Sequence, residues 1–314
     1  MTDRFALAGR RVYVAGHGGM VGAALVRRLA DENCTLLTSP RALDLRDQAM
    51  VRGWFAQERP EVVVIAAARV GGIAANAARP GEFLYDNVMI AANVIEAARR
   101  AGAAKLLFLG SSCIYPREAA QPISEDALLS GPLEPTNEAY AIAKIAGVKL
   151  CSAYRAQYGC DFISAMPTNL YGPGDNYDLE NSHVLPALIR RAHEAKLAGA
   201  DVLTIWGSGT PRREFLHVED LANACVTLLE SYSDAPPVNV GAGEDIAIAD
   251  LARLVAEVVG FAGRIETDPA RPDGTPRKLL DSARIRALGW TPRVGLRDGI
   301  AAAYADFLAG GGRR

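Results

Sequence analysis

A chain of 314 residues, half of them apolar and 22% charged, suits a globular protein with one large domain or two unequal ones. Its 34 Lys and Arg nearly balance 36 Asp and Glu and form no basic block, which argues against binding to nucleic acid or a membrane surface. No apolar run reaches transmembrane length, and residues 1–10 lack a basic-then-apolar export pattern, so the expectation is a cytoplasmic protein.

Val12 to Ala15 forms an apolar run ending at Gly16, and Met20 to Ala30 follows with helical spacing. Thr35 to Leu37 is a second short run, and Asp47 to Gln57 a second helix. After Glu61 comes VVVIAAA, apolar enough to be buried on both faces. A long helix over Gly81 to Ala101 precedes the strand Lys105 to Leu109. Helix Glu138 to Tyr158 and strand Asp161 to Met166 follow. Strands separated by helices of this length imply right-handed βαβ units and a doubly wound parallel α/β sheet of Rossmann type. The texture changes after Pro167. Tyr171 to Ser182 is rich in Gly, Pro, Asp and Asn and reads as a loop. Helix His183 to Leu197, strand Val202 to Trp206, loop Gly207 to Pro211 and helix Glu219 to Glu230 come next. The expected division is a dinucleotide-binding domain over 1–170, to which residues 207–240 return, and a smaller interleaved substrate domain over 171–314.

Gly16-His17-Gly18-Gly19-Met20-Val21-Gly22 stands between the first strand and the first helix. Tight turns also use glycine. At this junction, however, glycines let the backbone approach a pyrophosphate lying on the helix N-terminus. Tyr140-Ala-Ile-Ala-Lys144 sets a phenol and an ammonium one turn apart on a helix face. With ten Tyr in 314 residues a chance pair is conceivable, so placement decides. The pair follows a strand whose end carries Ser111-Ser112-Cys113, and strand ends are where such sheets bind ligands. A phenol has an ordinary pKa near 10; a nearby ammonium and an oxidised nicotinamide favour its ionised form. Tyr140 can then protonate a carbonyl oxygen as hydride reaches its carbon. The five cysteines, Cys34, Cys113, Cys151, Cys160 and Cys225, show no zinc spacing and read as reduced thiols, so no metal is expected. Small buried hydrophobe is the plain reading of each. His183, near a helix start, has a structural hydrogen bond as its plain role. His17, His193 and His217 receive no chemistry.

The GxxGxxG spacing and the Ser111, Tyr140, Lys144 order resemble the short-chain dehydrogenase/reductase superfamily. Further motifs narrow this: Ser111-Ser-Cys-Ile-Tyr-Pro116, Met166-Pro-Thr-Asn-Leu-Tyr-Gly-Pro173, Asn181-Ser-His183-Val, Trp206-Gly-Ser-Gly-Thr-Pro-Arg-Arg213 and Arg271-Pro-Asp-Gly-Thr-Pro-Arg-Lys278. Sugar-nucleotide 4,6-dehydratases carry an acidic pair where this chain has Cys113 and Ile114. From Gly16 to about Trp290 the ordered set resembles the family of GDP-L-fucose synthases. The resemblance implies epimerisation at C3 and C5 of GDP-4-keto-6-deoxy-D-mannose, then NADPH reduction at C4. Removing a proton from one face of the sugar and returning one from the other needs two groups on opposite faces. The resemblance makes Cys113 the base and His183 the acid, with Ser111, Tyr140 and Lys144 serving the hydride step. It lays NADP(H) on Gly16, Gly19, Met20, Val21 and Gly22, and on Arg41, Asp44 and Leu45 after the second strand. It adds Ala67, Ala68 and Asn87, then Leu109, Gly110, Ser111 and Ser112. Beyond Tyr140 and Lys144 come Pro167, Thr168, Asn169, Leu170 and His183. Asn169, Arg191, Trp206, Arg213, Asp273 and Lys278 would hold the GDP-sugar, since forked guanidinium groups suit its two phosphates. Solvated surface charge is the alternative for Arg191 and Lys278. A homodimer through helices 81–101 and 138–158 is implied as well.

One departure bears on the cofactor. Relatives can place Arg after the loop His, where this chain has Gly18, and Arg41 stands one residue from the other usual position. Residues 38–41 contain no acidic group of the kind that marks NAD. NADP is therefore expected, with weaker discrimination against NAD. A redox-neutral, NAD-recycling epimerase on another nucleotide sugar and a redox-silent dinucleotide-binding regulator are the competing readings. Retention of Ser111, Tyr140 and Lys144 weighs against the regulator.

Overall fold

Strand β1 (Arg11–Ala15) explains the uninterrupted apolar runs of the first half. Val12 and Val14 enter one core with Leu25, Leu29, Leu221 and Leu228, while Tyr13 and Ala15 enter another with Phe55, Val94, Phe108 and Val148. A strand covered by helices on both faces has no polar side to present. The computed structural model describes residues 4–179, 181–270, 273 and 275–313.

β1 is joined by β2 (Thr35–Leu37), β3 (Val62–Ile65), β4 (Lys105–Leu109), β5 (Phe162–Pro167) and, from much later in the chain, β9 (Val238–Val240). Together they make a six-stranded parallel sheet of order β2-β1-β3-β4-β5-β9. Helices α1 (Met20–Leu29) and α7 (Val218–Ser231) cover one face. Helices α2 (Gln48–Glu58), α4 (Pro80–Ala101) and α5 (Glu138–Tyr158) cover the other, and the short α3 (Ile73–Ala78) leads into α4. Winding reverses between β1 and β3, which opens a crevice at their carboxyl ends. Helix α5 approaches the sheet closely at Gly147, where a Cβ would stand 2.3 Å from the Phe108 ring. That contact brings the first turns of α5 over the end of β4.

The second layer is built around β8 (Arg212–His217). It pairs in parallel with β6 (Asn169–Tyr171) and β12 (Arg277–Lys278), and antiparallel with β10 (Asp245–Ala247). β7 (Val202–Trp206) and β11 (Arg264–Asp268) form a separate parallel pair. Helices α6 (Val184–Leu197), α8 (Ile248–Val259) and α10 (Leu296–Leu308) enclose a third core that includes Tyr177, Leu188, Val255 and Phe307, and α9 (Ala283–Ala287) lies against the large sheet near β9. β8 belongs to this small sheet, and α7 and β9 carry the chain back to the large one. β6, β10 and β12 are only two or three residues long, too short to leave an alternating pattern in the sequence.

Glu214 ties the layers together. It is completely buried, and its carboxylate accepts the backbone N–H groups of Gly243 (2.7 Å) and Leu280 (3.1 Å). Its carbonyl accepts from Thr168 Oγ1 (3.3 Å) and Asn169 Nδ2 (2.8 Å), just past the end of β5. Burial pushes its carboxyl above the usual range, and those backbone donors oppose the push.

Candidate active site

The crevice begins at the glycine turn. Gly16 has φ +87°, and a Cβ there would meet the Ala67 backbone at 2.7 Å; at Gly22 one would lie 2.1 Å from the Gly16 carbonyl oxygen. Any larger residue would fill the hollow under the start of α1, whose first turn carries no acidic side chain. His17 Nδ1 is buried beside it without a partner. A hollow of backbone N–H groups at a helix N-terminus fits a pyrophosphate.

Ala67 and Ala68 border the crevice after β3. Asn87 on α4 clasps the same loop: its side chain accepts from Arg69 N (2.8 Å) and donates to the carbonyls of Arg69 (3.0 Å) and Phe83 (2.7 Å). It shapes the loop with its own hydrogen-bonding groups already used. Beyond β2, Arg41 is exposed. Asp44 is gripped by Arg46, which holds its carboxyl down at about 2, and Arg46 reaches on to Asp86. Leu45 gives its carbonyl to Asn93 of α4 (3.0 Å).

The end of β4 gathers several of the candidate catalytic residues. Lys144 is buried and donates to the Leu109 carbonyl (2.8 Å), with its ammonium 5.7 Å from the Tyr140 ring centre. Burial lowers its pKa to about 8. Gly110 follows with its N–H on the Ala165 carbonyl of β5 (2.8 Å). Ser111 begins a short turn, its Oγ accepting Cys113 N (3.3 Å), and Ser112 is buried beneath. Burial pushes the Tyr140 phenol above its ordinary value, with the neighbouring Cys113 adding to the rise and a bond with Ser111 opposing it. The sequence pointed to a phenol lowered by Lys144 together with an oxidised nicotinamide. Here that ammonium is engaged by the Leu109 carbonyl, and burial prevails.

Around Cys113, in the same turn, a second group gathers from distant parts of the chain. Cys113 Sγ receives Asn137 Nδ2 at 3.4 Å and Lys278 Nζ at 3.7 Å. Lys278 on β12 is in register with Arg213 on β8. Arg213 is lowered by burial, with Cys113, Glu134 and Asp273 opposing. His183 stands at the N-terminus of α6, open to solvent within the cleft yet surrounded by protein. Burial lowers it, and the Lys278 charge lowers it further. Pro167, Thr168, Asn169 and Leu170 run from β5 to β6, with Asn169 turned onto Glu214.

Farther out, the Arg191 guanidinium lies 5.1 Å from the Trp206 ring centre, a cation–π pair on the outer wall. Asp273 accepts from Ser208 N (2.9 Å) and Oγ (2.7 Å), which fixes the loop after β7. Arg271, Pro272 and Gly274 of that motif lie outside the described residues. The structure thus gathers Ser111, Cys113, Tyr140, Lys144 and Lys278, brings the Lys278 charge to bear on His183, and sets Arg191 and Trp206 apart on the rim. Sequence reasoning missed Asn137, three residues before Tyr140 in a Pro-Thr-Asn turn, and the pair Tyr115–Asn239. Tyr115 donates to the fully buried Asn239 (2.6 Å) and anchors the strand-end loop. Among the described residues no cluster of His, Cys, Asp and Glu could hold a metal ion, and no helix is long and apolar enough to cross a membrane.

Residues 12–241 match the model of the NAD dependent epimerase/dehydratase family. The chain is 56% identical over 306 residues to a GDP-L-fucose synthase of Sinorhizobium fredii, covering 97% of this chain and 98% of that one. It is 56% identical over 310 residues to GDP-L-fucose synthase 1 of Arabidopsis thaliana, covering 98% and 95%. Among solved structures, a GDP-L-fucose synthetase of Naegleria fowleri bound to NADP superposes with a TM-score of 0.90 at 27% identity, covering 98% of this chain and 97% of that one.

Proposed function

The chain belongs to the NAD dependent epimerase/dehydratase family and, within it, to the GDP-L-fucose synthases; on that premise we propose that it converts GDP-4-keto-6-deoxy-D-mannose to GDP-L-fucose with NADPH. One observation carries the reading: a donor-flanked thiol, Cys113, sits two residues from Ser111 and beside Tyr140. A simple carbonyl reductase needs no such thiol. An epimerase acting next to a ketone does, because the C4 carbonyl acidifies the protons at C3 and C5.

Gly16, Gly19, Met20, Val21 and Gly22 would hold the pyrophosphate of NADP(H), with Arg41 toward the 2′-phosphate and Lys144 on the nicotinamide ribose. The bound cofactor supplies the hydride for C4. Cys113 takes the proton from C3 or C5, and His183 returns one to the opposite face. Ser111 and Tyr140 meet the C4 oxygen. The raised phenol keeps its proton until charge develops on that oxygen, which is when a donor is needed. Arg191, Trp206, Arg213 and Asp273 would face the nucleotide, with Asn169 toward the sugar. In this division residues 1–170, with return segments from 207–240, bind cofactor, and 171–314 mainly bind the sugar nucleotide.

The proposal extends to a homodimer through α4 and α5, which expose Tyr85, Ile142 and Tyr158. It extends also to a cytoplasmic setting, which five free thiols suit. Purified protein mixed with GDP-4-keto-6-deoxy-D-mannose and NADPH should consume the reduced cofactor stoichiometrically and yield GDP-L-fucose. Folded, cofactor-bound protein that consumes none would turn the reading toward a redox-neutral epimerase.

A further inference from the structure

We propose that Asn137 and Lys278 form a cradle for the anionic sulfur of Cys113, and that Lys278 serves proton transfer rather than diphosphate binding. This rests on Cys113 being the base of the proposed reaction.

Both contacts on the sulfur are donors: the Asn137 amide at 3.4 Å and the Lys278 ammonium at 3.7 Å. An ammonium has no acceptor to offer a thiol hydrogen, so its placement suits a negative sulfur. The amide supports the same reading. Asn137 Oδ1 is buried without a partner, and its side chain makes no capping bond at the start of α5. A fold tolerates an orphaned acceptor where the other end of the amide has a task. Lys278 is held by a backbone ladder, since β12 pairs with β8 and sets it beside Arg213. The other ionisable groups facing the thiol are Arg213 from β8 and Tyr140 from α5, with Glu134, Arg117 and Arg277 lining the adjoining cavity.

As the C–H bond breaks, its electron pair moves to the C4 oxygen and the proton joins the sulfur, whose charge the Asn137 amide and the Lys278 ammonium had balanced. His183 gives a proton to the opposite face, the enolate electron pair forms the new C–H bond, and the ketone is restored.

Substrate-free alkylation by iodoacetamide, followed at Cys113 by peptide mass, tests the cradle directly. Lys278→Met should slow it about tenfold at pH 7 and move its pH midpoint up by roughly one unit, as loss of a nearby positive charge requires. Lys278→Arg should retain most of the rate, and Asn137→Ala should lose about two- to threefold. Deuterium uptake from D2O into the substrate should fall in parallel, with KM nearly unchanged. Unaltered alkylation in Lys278→Met with a raised KM would make Lys278 a diphosphate ligand and overturn the proposal. No deuterium uptake by the unsubstituted enzyme, with alkylation still dependent on Lys278, would uphold the cradle and remove Cys113 as the base.

Discussion

The two walls of the cleft are built differently. The cofactor wall is mostly backbone: a glycine turn, the ends of β1, β3 and β4, and a helix N-terminus, all within the first 111 residues. The facing wall is mostly side chains, with Arg213 and Lys278 from two strands, Asn137 from a turn and His183 from a helix start, far apart in the sequence. Backbone can bind a pyrophosphate that many enzymes share, while side chains on short strands can be exchanged to suit one sugar. The proposed chemistry draws on both: Ser111 and Cys113 come from the turn after β4, while Asn137, His183 and Lys278 reach in from elsewhere.

Substitutions that separate the two half-reactions give the largest expected effects. Tyr140→Phe should reduce NADPH consumption by about 10²–10⁴-fold, the range for loss of a general acid, while deuterium still enters the sugar. Cys113→Ser should abolish deuterium uptake and leave NADPH affinity unchanged. If both variants lost both activities equally, the division between the walls would fail. Gly147→Val tests whether close approach of α5 sets the first wall. Its Cβ would lie 2.3 Å from the Phe108 ring, so overpacking should cost about 1–3 kcal/mol in a denaturant titration and impair reduction more than exchange.

A smaller effect is expected at Arg41. Arg41→Ser should raise KM for NADPH by up to about tenfold, the worth of one charge-assisted contact, and leave NADH unaffected. An equal change for both cofactors would place Arg41 away from the 2′-phosphate.

The smallest effect is one of stability, on the loop that leads to His183. Asp175 is buried with Oδ2 unpartnered, and burial raises its pKa to about 7 from an ordinary 3.8. The folded protein therefore binds the extra proton between those values, and stability falls as pH rises through that window. Asp175→Asn should be neutral near pH 4. Above pH 7 it should raise Tm by roughly 2–4 °C for each kcal/mol of relieved burial cost, as read by calorimetry.

The large sheet was legible because its strands are apolar on both faces, and the glycine turn and Tyr140–Lys144 pair because their spacing is local. Cys113 and His183 stood out through motif resemblance; nothing in their own surroundings in the sequence marks a thiol or an imidazole as reactive. Asn137 was missed because an Asn before a helix reads as an ordinary cap, yet its amide faces a sulfur instead. Lys278 read as a surface or phosphate cation, since its neighbour Cys113 lies 165 residues earlier. The two-residue strand that aims it has no signature at all. Asn87 falls beside the cofactor crevice, and its side chain bonds to the Arg69 loop, a role its place in the sequence did not show.

Glu214 acts as a pivot. Its carbonyl grips residues 168–169 at the edge of the large sheet, and its carboxylate grips Gly243 and Leu280. The layers cannot slide past one another there without stranding a buried carboxylate. Lys278, two residues from Leu280, is thereby held near the tie, whereas the Arg191–Trp206 rim lies away from it. In the proposed reaction, the proton-transfer residues would be fixed before substrate arrives and the nucleotide rim would be the part left free to adjust. Amide hydrogen exchange should mark the pivot, with Gly243 and Leu280 equally protected with and without GDP while the rim becomes protected only when GDP is bound.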